Sequence, residues 1–149
     1  HCCEEPVSII NVTEMARELG VNASTVVGSP DTIDSLSIRT SGEKDHIVEG
    51  TVHADGLPRI TNIDGCEFDM VPSGHMIVLF NSDQPGMVGR VGVVLGEAGM
   101  NIDEMVIGHG DMDGVAMMVI KTGASPSNDV LQSLEAIDGI SKVANAQIN

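Results

Sequence analysis

The sequence has no tryptophan and no tyrosine, and Phe68 and Phe80 are its only aromatic residues. Stacking of nucleic-acid bases needs a platform of aromatic rings, and this chain cannot build one. Basic side chains are also scarce, seven Lys and Arg against 22 Asp and Glu, for a net charge of -15. Such an excess of negative charge repels nucleic acid and anionic membrane surfaces. No apolar run approaches the ~20 residues needed to span a bilayer, and no secretory signal is visible. Cys2 and Cys3 are adjacent and Cys66 is remote, so there is no disulfide framework, and a reducing, cytoplasmic setting is expected. The five histidines (His1, His46, His53, His75 and His109) show no metal-ligand spacing. There is no G-x-S-x-G nucleophile elbow either, which favours a binding module over an enzyme.

What is present is an ordinary folded composition, with 42% hydrophobic and 19% charged residues in 149. That length suits one ordinary domain or two small ones. Nine methionines fill a core that lacks aromatics, which their flexible thioethers do adaptably. The chain opens on His1 rather than Met, and is expected to be a piece of something longer.

Met15, Ala16 and Leu19 mark one face of a short helix over 12–19, and turn formers make 22–34 a loop. Short β runs follow at 35–40, 46–53, 57–63 and 66–71. Asp55-Gly56 and Asp64-Gly65 separate the later runs. Asp-Gly between alternating strands predicts type I′ hairpins, because both central residues need positive φ. Pro72-Ser73-Gly74 marks a boundary, giving a β-rich α+β unit at 1–74 and a second unit at 75–149.

The second unit begins with the continuous apolar run HMIVLFN (75–81), as expected of a buried central strand. Val88, Val91, Leu95 and Ala98 then form a helical stripe ending at Gly99. Strands at 100–108 and 115–122 follow, then a helix opened by Ser125-Pro126 with Val130, Leu134 and Ile137 inward, and a final strand at 140–148. The order β-α-β-β-α-β is the ferredoxin-like plan of an α+β fold.

The segment with most chemical content is Asn81-Ser82-Asp83-Gln84-Pro85-Gly86. A strand ends and a helix begins there, and the unpaired N–H groups of a helix start suit a carboxylate. Asp83 either caps that helix or holds an ammonium group, and Asn81 offers a donor and an acceptor. Together they suit a zwitterionic amino acid. Gly89, Gly92 and Gly96 fall on one side of the helix, and each costs helix stability about 1 kcal/mol relative to Ala. They point to close packing, a second chain included. Asp111-Met112-Asp113-Gly114 lacks the remaining ligands of a calcium loop and reads as a hairpin turn. Arg39, Lys44 and Arg59 are either an anion-binding cluster for a phosphate or carboxylate or separate salt bridges.

From His75 onward, HMIVLFNSDQPGMVGRVGVVLGEAGMNIDEMVIG resembles the ACT domain at the C-terminus of D-3-phosphoglycerate dehydrogenases. The D-x-P-G-x-[VI]-G…LG-x-x-G-x-NI pattern carries the resemblance, which runs to the end of the chain. Upstream, EGTVHADGLPRITNIDGCEFDMVPSGH resembles the second half of the allosteric substrate-binding domain that precedes ACT in the long form of that enzyme. The resemblance implies feedback control of serine biosynthesis by L-serine or a similar small amino acid. Its contacts would be Asn81, Asp83, Pro85, Gly86 and Val88, with Asn101 bracing the ligand from across or beside the site. Asp83 would take the ammonium group and the helix N-terminus the carboxylate. It also implies a homo-oligomer built through ACT domains, no catalytic residues in this segment, and NAD only in a catalytic part that it lacks. Two alternatives stand beside this reading. One is the β-chain of an L-serine dehydratase, which shares the domain pair but carries an S-S-H-T-like motif not found here. The other is an ACT assembly module without a ligand.

Overall fold

The computed structural model describes residues 14, 17, 18, 35–40, 45–110 and 114–148. The chain divides into two compact units, His1–Asp34 and Ser35–Asn149. In the first, Glu14, Arg17 and Glu18 are helical and exposed, and Arg17 Nη2 donates to Glu14 Oε1 at 2.6 Å. The inward residues expected of that helix, the loop at 22–34 and the turn at Asp111–Asp113 lie outside the described residues.

The second unit contains β1 (Ser35–Thr40), β2 (His46–Val52), β3 (Pro58–Ile63), β4 (Cys66–Met70), β5 (Gly74–Ser82), α1 (Met87–Glu97), β6 (Ile102–His109), β7 (Val115–Thr122), α2 (Asn128–Glu135) and β8 (Ile140–Ile148). All eight strands share one antiparallel sheet in the order β1-β2-β3-β4-β6-β7-β5-β8. The expected βαββαβ unit is present as β5-α1-β6-β7-α2-β8, with β5 between β7 and β8.

That position explains the unbroken apolar run of β5. Ile77 and Leu79 join Val91 and Leu95 of α1, Met118 and Ile120 of β7 and Leu134 of α2 in one core. Met76 faces the other way, into a second core with Cys66, Met70, Met117 and Val119. The second core carries contacts across Pro72–Gly74, so the segments on either side of the expected boundary meet in one compact unit. The buried stripe of α1 is Met87, Val91 and Leu95, rather than the expected Val88, Val91, Leu95 and Ala98. The helix starts at Met87, and 3.6-residue spacing from there turns Val88 outward, 44% exposed.

The two Asp-Gly turns differ. Asp64 and Gly65 both have positive φ, 53° and 84°, as a type I′ hairpin needs. At Asp55-Gly56 only the glycine does, with φ 78°. There the loop is longer: Gly56 N donates to His53 O at 2.9 Å, and Leu57 N donates to Asp55 Oδ1 at 2.9 Å. The Asp55 side chain turns the chain in place of a second left-handed residue. Among the described residues, no helix is long and apolar enough to cross a membrane.

Candidate functional site

The chain leaves β5 at Ser82 and enters α1 through Asp83-Gln84-Pro85-Gly86. Neighbouring turns pin this loop: Ser82 N donates to Gly139 O at 2.7 Å, and Asp83 N to Gly114 O at 2.9 Å. Gly86 occupies the N-cap position with φ 87°, and no side chain caps the helix. A side chain at that left-handed position would be strained, so glycine is required to turn the loop into the helix. Asp83 is therefore not the cap. Met87 N reaches Gln84 O at 3.4 Å, while the next first-turn N–H groups have no intrahelical partner.

Beside this helix start lies a pocket of about 400 Å³, within the range of small-molecule sites. Met87, Val88, Ile107, Ala116 and Met118 supply apolar walls, and Asn81, Asp83, Gln84 and His109 supply polar groups. Asp83 is half exposed and its Oδ2 lies 3.3 Å from His109 Nδ1. Asn81 is 3% exposed, and its Nδ2 donates to Ser82 O at 2.7 Å. A carbonyl only accepts, so this bond fixes which way the amide faces. The other end, Oδ1, is buried with no hydrogen-bond partner. An unpaired buried acceptor costs about 1–3 kcal/mol, which a donor brought by a ligand would recover.

The structure brings Asn81, Asp83, Pro85, Gly86 and Val88 together around this pocket. Asn101 is not among its lining residues. It sits just before β6, whereas the pocket meets β6 at its other end, Ile107 and His109. At about 3.4 Å per residue that is roughly 25 Å along the strand. Asn101 is exposed and its Nδ2 donates to Asp103 Oδ1 at 3.0 Å. Within one chain it does not join the site.

Sequence reasoning missed Ile107, His109, Ala116 and Met118, because no local motif marks them. Strand order is the signal that could have found them. In a β6-β7-β5-β8 sheet, the end of β6 and the start of β7 lie beside the end of β5.

Arg39 and Arg59 are not brought together. Arg39 pairs with Ile47 and Arg59 with Thr51 on opposite sides of β2, four residues apart along the strand, or about 13 Å. Arg59 is engaged by Asp55 at 3.0 Å and Asp69 at 3.2 Å. The Leu57 N–H and the Arg59 guanidinium hold the Asp55 carboxyl below the usual carboxylate range. A nearby depression on β2–β4 is lined by Glu49, Glu67 and Asp69, and these carboxylates would repel an anion. Lys44 lies outside the described residues.

Residues 75–139 match the ACT domain family model. The chain is similar to D-3-phosphoglycerate dehydrogenase of Bacillus subtilis, 27% identical over 94% of this chain and 27% of that protein. It is also similar to D-3-phosphoglycerate dehydrogenase of Archaeoglobus fulgidus, 30% identical over 90% of this chain and 26% of that protein. The chain thus spans about a quarter of the length of the curated relatives it matches. Among solved structures, the ligand-free regulatory subunit of aspartate kinase from Thermus thermophilus is 22% identical over half of each chain, with a TM-score of 0.38. The segment from His75 to Gly139 is an ACT domain.

Proposed function

We propose that this chain is the amino-acid-sensing regulatory region of a D-3-phosphoglycerate dehydrogenase. In this reading it binds L-serine, or an amino acid of similar size, in the pocket at the start of α1. The observation that carries the reading is Asn81, which lines that pocket and whose Oδ1 is buried without a partner. A site that strands an acceptor beside a carboxylate and an uncapped helix start matches the groups of a zwitterion. Asp83 takes the ammonium group, the first turn of α1 takes the carboxylate, and Asn81 Oδ1 accepts from the ammonium or a side-chain hydroxyl.

The site is completed by a second copy. Asn101 lies at the opposite end of β6 from the pocket, so in this reading the Asn101 that braces this chain's ligand is the one supplied by the second copy. The outward face of α1 fits such an assembly. Val88 and Val93 are 44% and 57% exposed, and a Cβ added at Gly89, Gly92 or Gly96 would meet nothing within 4 Å. Among the described residues nothing packs against these positions closely enough to require glycine, which suits a close approach by the partner.

The protein works in the cytoplasm as a regulator without catalytic residues. In this reading the nicotinamide chemistry of such a dehydrogenase belongs to its other domains. Binding controls the parent enzyme only through unequal affinity for its two states.

The test is thermal unfolding with each of the common amino acids in turn. Ligand at about 100 times its Kd adds roughly 2.7 kcal/mol of stability. L-serine or a close analogue should raise the melting temperature of the wild-type chain but not of Asp83→Ala. A chain that dimerises while every amino acid leaves its melting unchanged would overturn the sensor reading in favour of an assembly module.

A further inference from the structure

One residue belongs to two structures at once. His109 is the last residue of β6, and its imidazole stands at the pocket with Nδ1 3.3 Å from Asp83 Oδ2. Its backbone is also where the sheet of β1–β4 is joined to the ACT domain, because β4 registers on β6 through Glu67↔His109 alone among the described residues. The adjoining backbone is tightly fitted. A Cβ on Gly108 would lie 2.8 Å from Glu67 O and 3.3 Å from Cys66 Cβ, and one on Gly110 would lie 3.4 Å from Cys66 Sγ. The backbone is therefore closely fitted against β4 on the Gly108 side of His109 and in ordinary contact with Cys66 on the Gly110 side, so a shift of this residue bears on β4.

We propose that His109 is a positioning residue of the amino-acid site and the link through which occupancy of that site reaches β4. The inference rests on the amino-acid reading given above. His109 Nδ1 stands against the Asp83 carboxylate. A ligand ammonium group takes over that carboxylate and sets a second positive or donor group against the imidazole, which turns away. The displacement passes through the single registered pair to Glu67 and loosens the β4 junction. The pair is exposed, with side chains 68% and 54% accessible, so the coupling is modest. Exposed pairs of this kind correspond to a change of up to about five-fold in an equilibrium.

The test is amide hydrogen exchange across Cys66–Met70 in the full chain, with and without saturating L-serine, and with binding followed separately by calorimetry. In the wild-type chain, serine should speed exchange of this strand about two- to five-fold. In His109→Ala the strand should already exchange at the faster rate and ignore serine. His109→Asn, which returns a donor near the Nδ1 position, should restore the response. A merely structural role would change the exchange rate of the variants without changing how serine affects it. Serine binding to the wild type with unchanged or slowed exchange of β4 would overturn the proposal and leave the amino-acid site standing, as would a full serine response in His109→Ala. Absence of binding to the wild type would overturn both.

Discussion

The two halves of the sheet are made of similar strands and differ in what covers them. In the ACT half, two helices lie on the sheet, and Ile77, Leu79, Val91, Leu95, Ile120 and Leu134 have no exposed surface. In the other half, every residue of β1 is exposed, and Leu36, Ile38 and Val52 keep between 48% and 66% of their surface. Alternation of apolar and polar residues makes a strand, but burial comes from the layer laid over it. Among the described residues of β1–β4, Cys66 and Met70 alone are fully buried hydrophobics, and they reach that state against Met76, Met117 and Val119 of the ACT half. Stability of this unit is therefore concentrated in the βαββαβ part, and every residue that lines the candidate pocket belongs to that part.

The sharpest way to test that contrast is one substitution in each half. Leu79→Ala opens a cavity beneath both helices and should cost about 2–5 kcal/mol in urea unfolding. Leu36→Ala, on exposed β1, should stay within about 0.5 kcal/mol. Equal costs would show that the first half is covered by a layer of its own. At the junction, Gly108→Ala forces a methyl against the Glu67 carbonyl. It should cost about 1–3 kcal/mol and raise exchange of β4 more than that of β5.

A smaller effect separates the pocket from the core around it. Asn81→Leu removes the stranded Oδ1 acceptor at the expense of one bond to Ser82. Unfolding should show no loss, or a gain of about 1 kcal/mol, while amino-acid binding disappears. Loss of stability together with retained binding would show that Asn81 serves the fold rather than the ligand. The smallest effect lies in the exposed half. The Asp55 carboxyl sits below its ordinary range in the folded chain, so its contribution is present above that range and is lost as the solution becomes more acidic than about pH 4. Arg59→Ala should reduce this part of the acid sensitivity in a pH series of unfolding midpoints without abolishing it, because the Leu57 N–H still donates to Asp55.

Much of this fold is legible in the sequence because its signals are local. The runs at 35–40, 115–122 and 140–148 coincide with β1, β7 and β8, and Asp64-Gly65 turns as its residue types require. Legibility fails where the deciding contact is distant. Asp55-Gly56 carries the same dipeptide, yet the Asp55 side chain accepts from Leu57 N and a longer loop results. Asp83 has the residue type of a helix cap, but Gly86 occupies the cap and Asp83 meets His109 from another strand. The strand–loop–helix side of the pocket follows from the Asn81–Val88 stretch, whereas Ile107, His109, Ala116 and Met118 arrive only through strand order. Arg39 and Arg59 read as lying on or beside neighbouring strands, but the register on β2 separates them.

The central claim is that the pocket at the start of α1 holds a small amino acid through Asp83 and Asn81. Calorimetric titration of the chain with L-serine, with Asp83→Ala beside it, tests this most directly. The account predicts saturable binding to the wild type, one ligand per pocket, weakened at least ten-fold in Asp83→Ala while its unfolding midpoint is unchanged. No heat from serine, glycine or another small amino acid, or equal binding by the two chains, would contradict it.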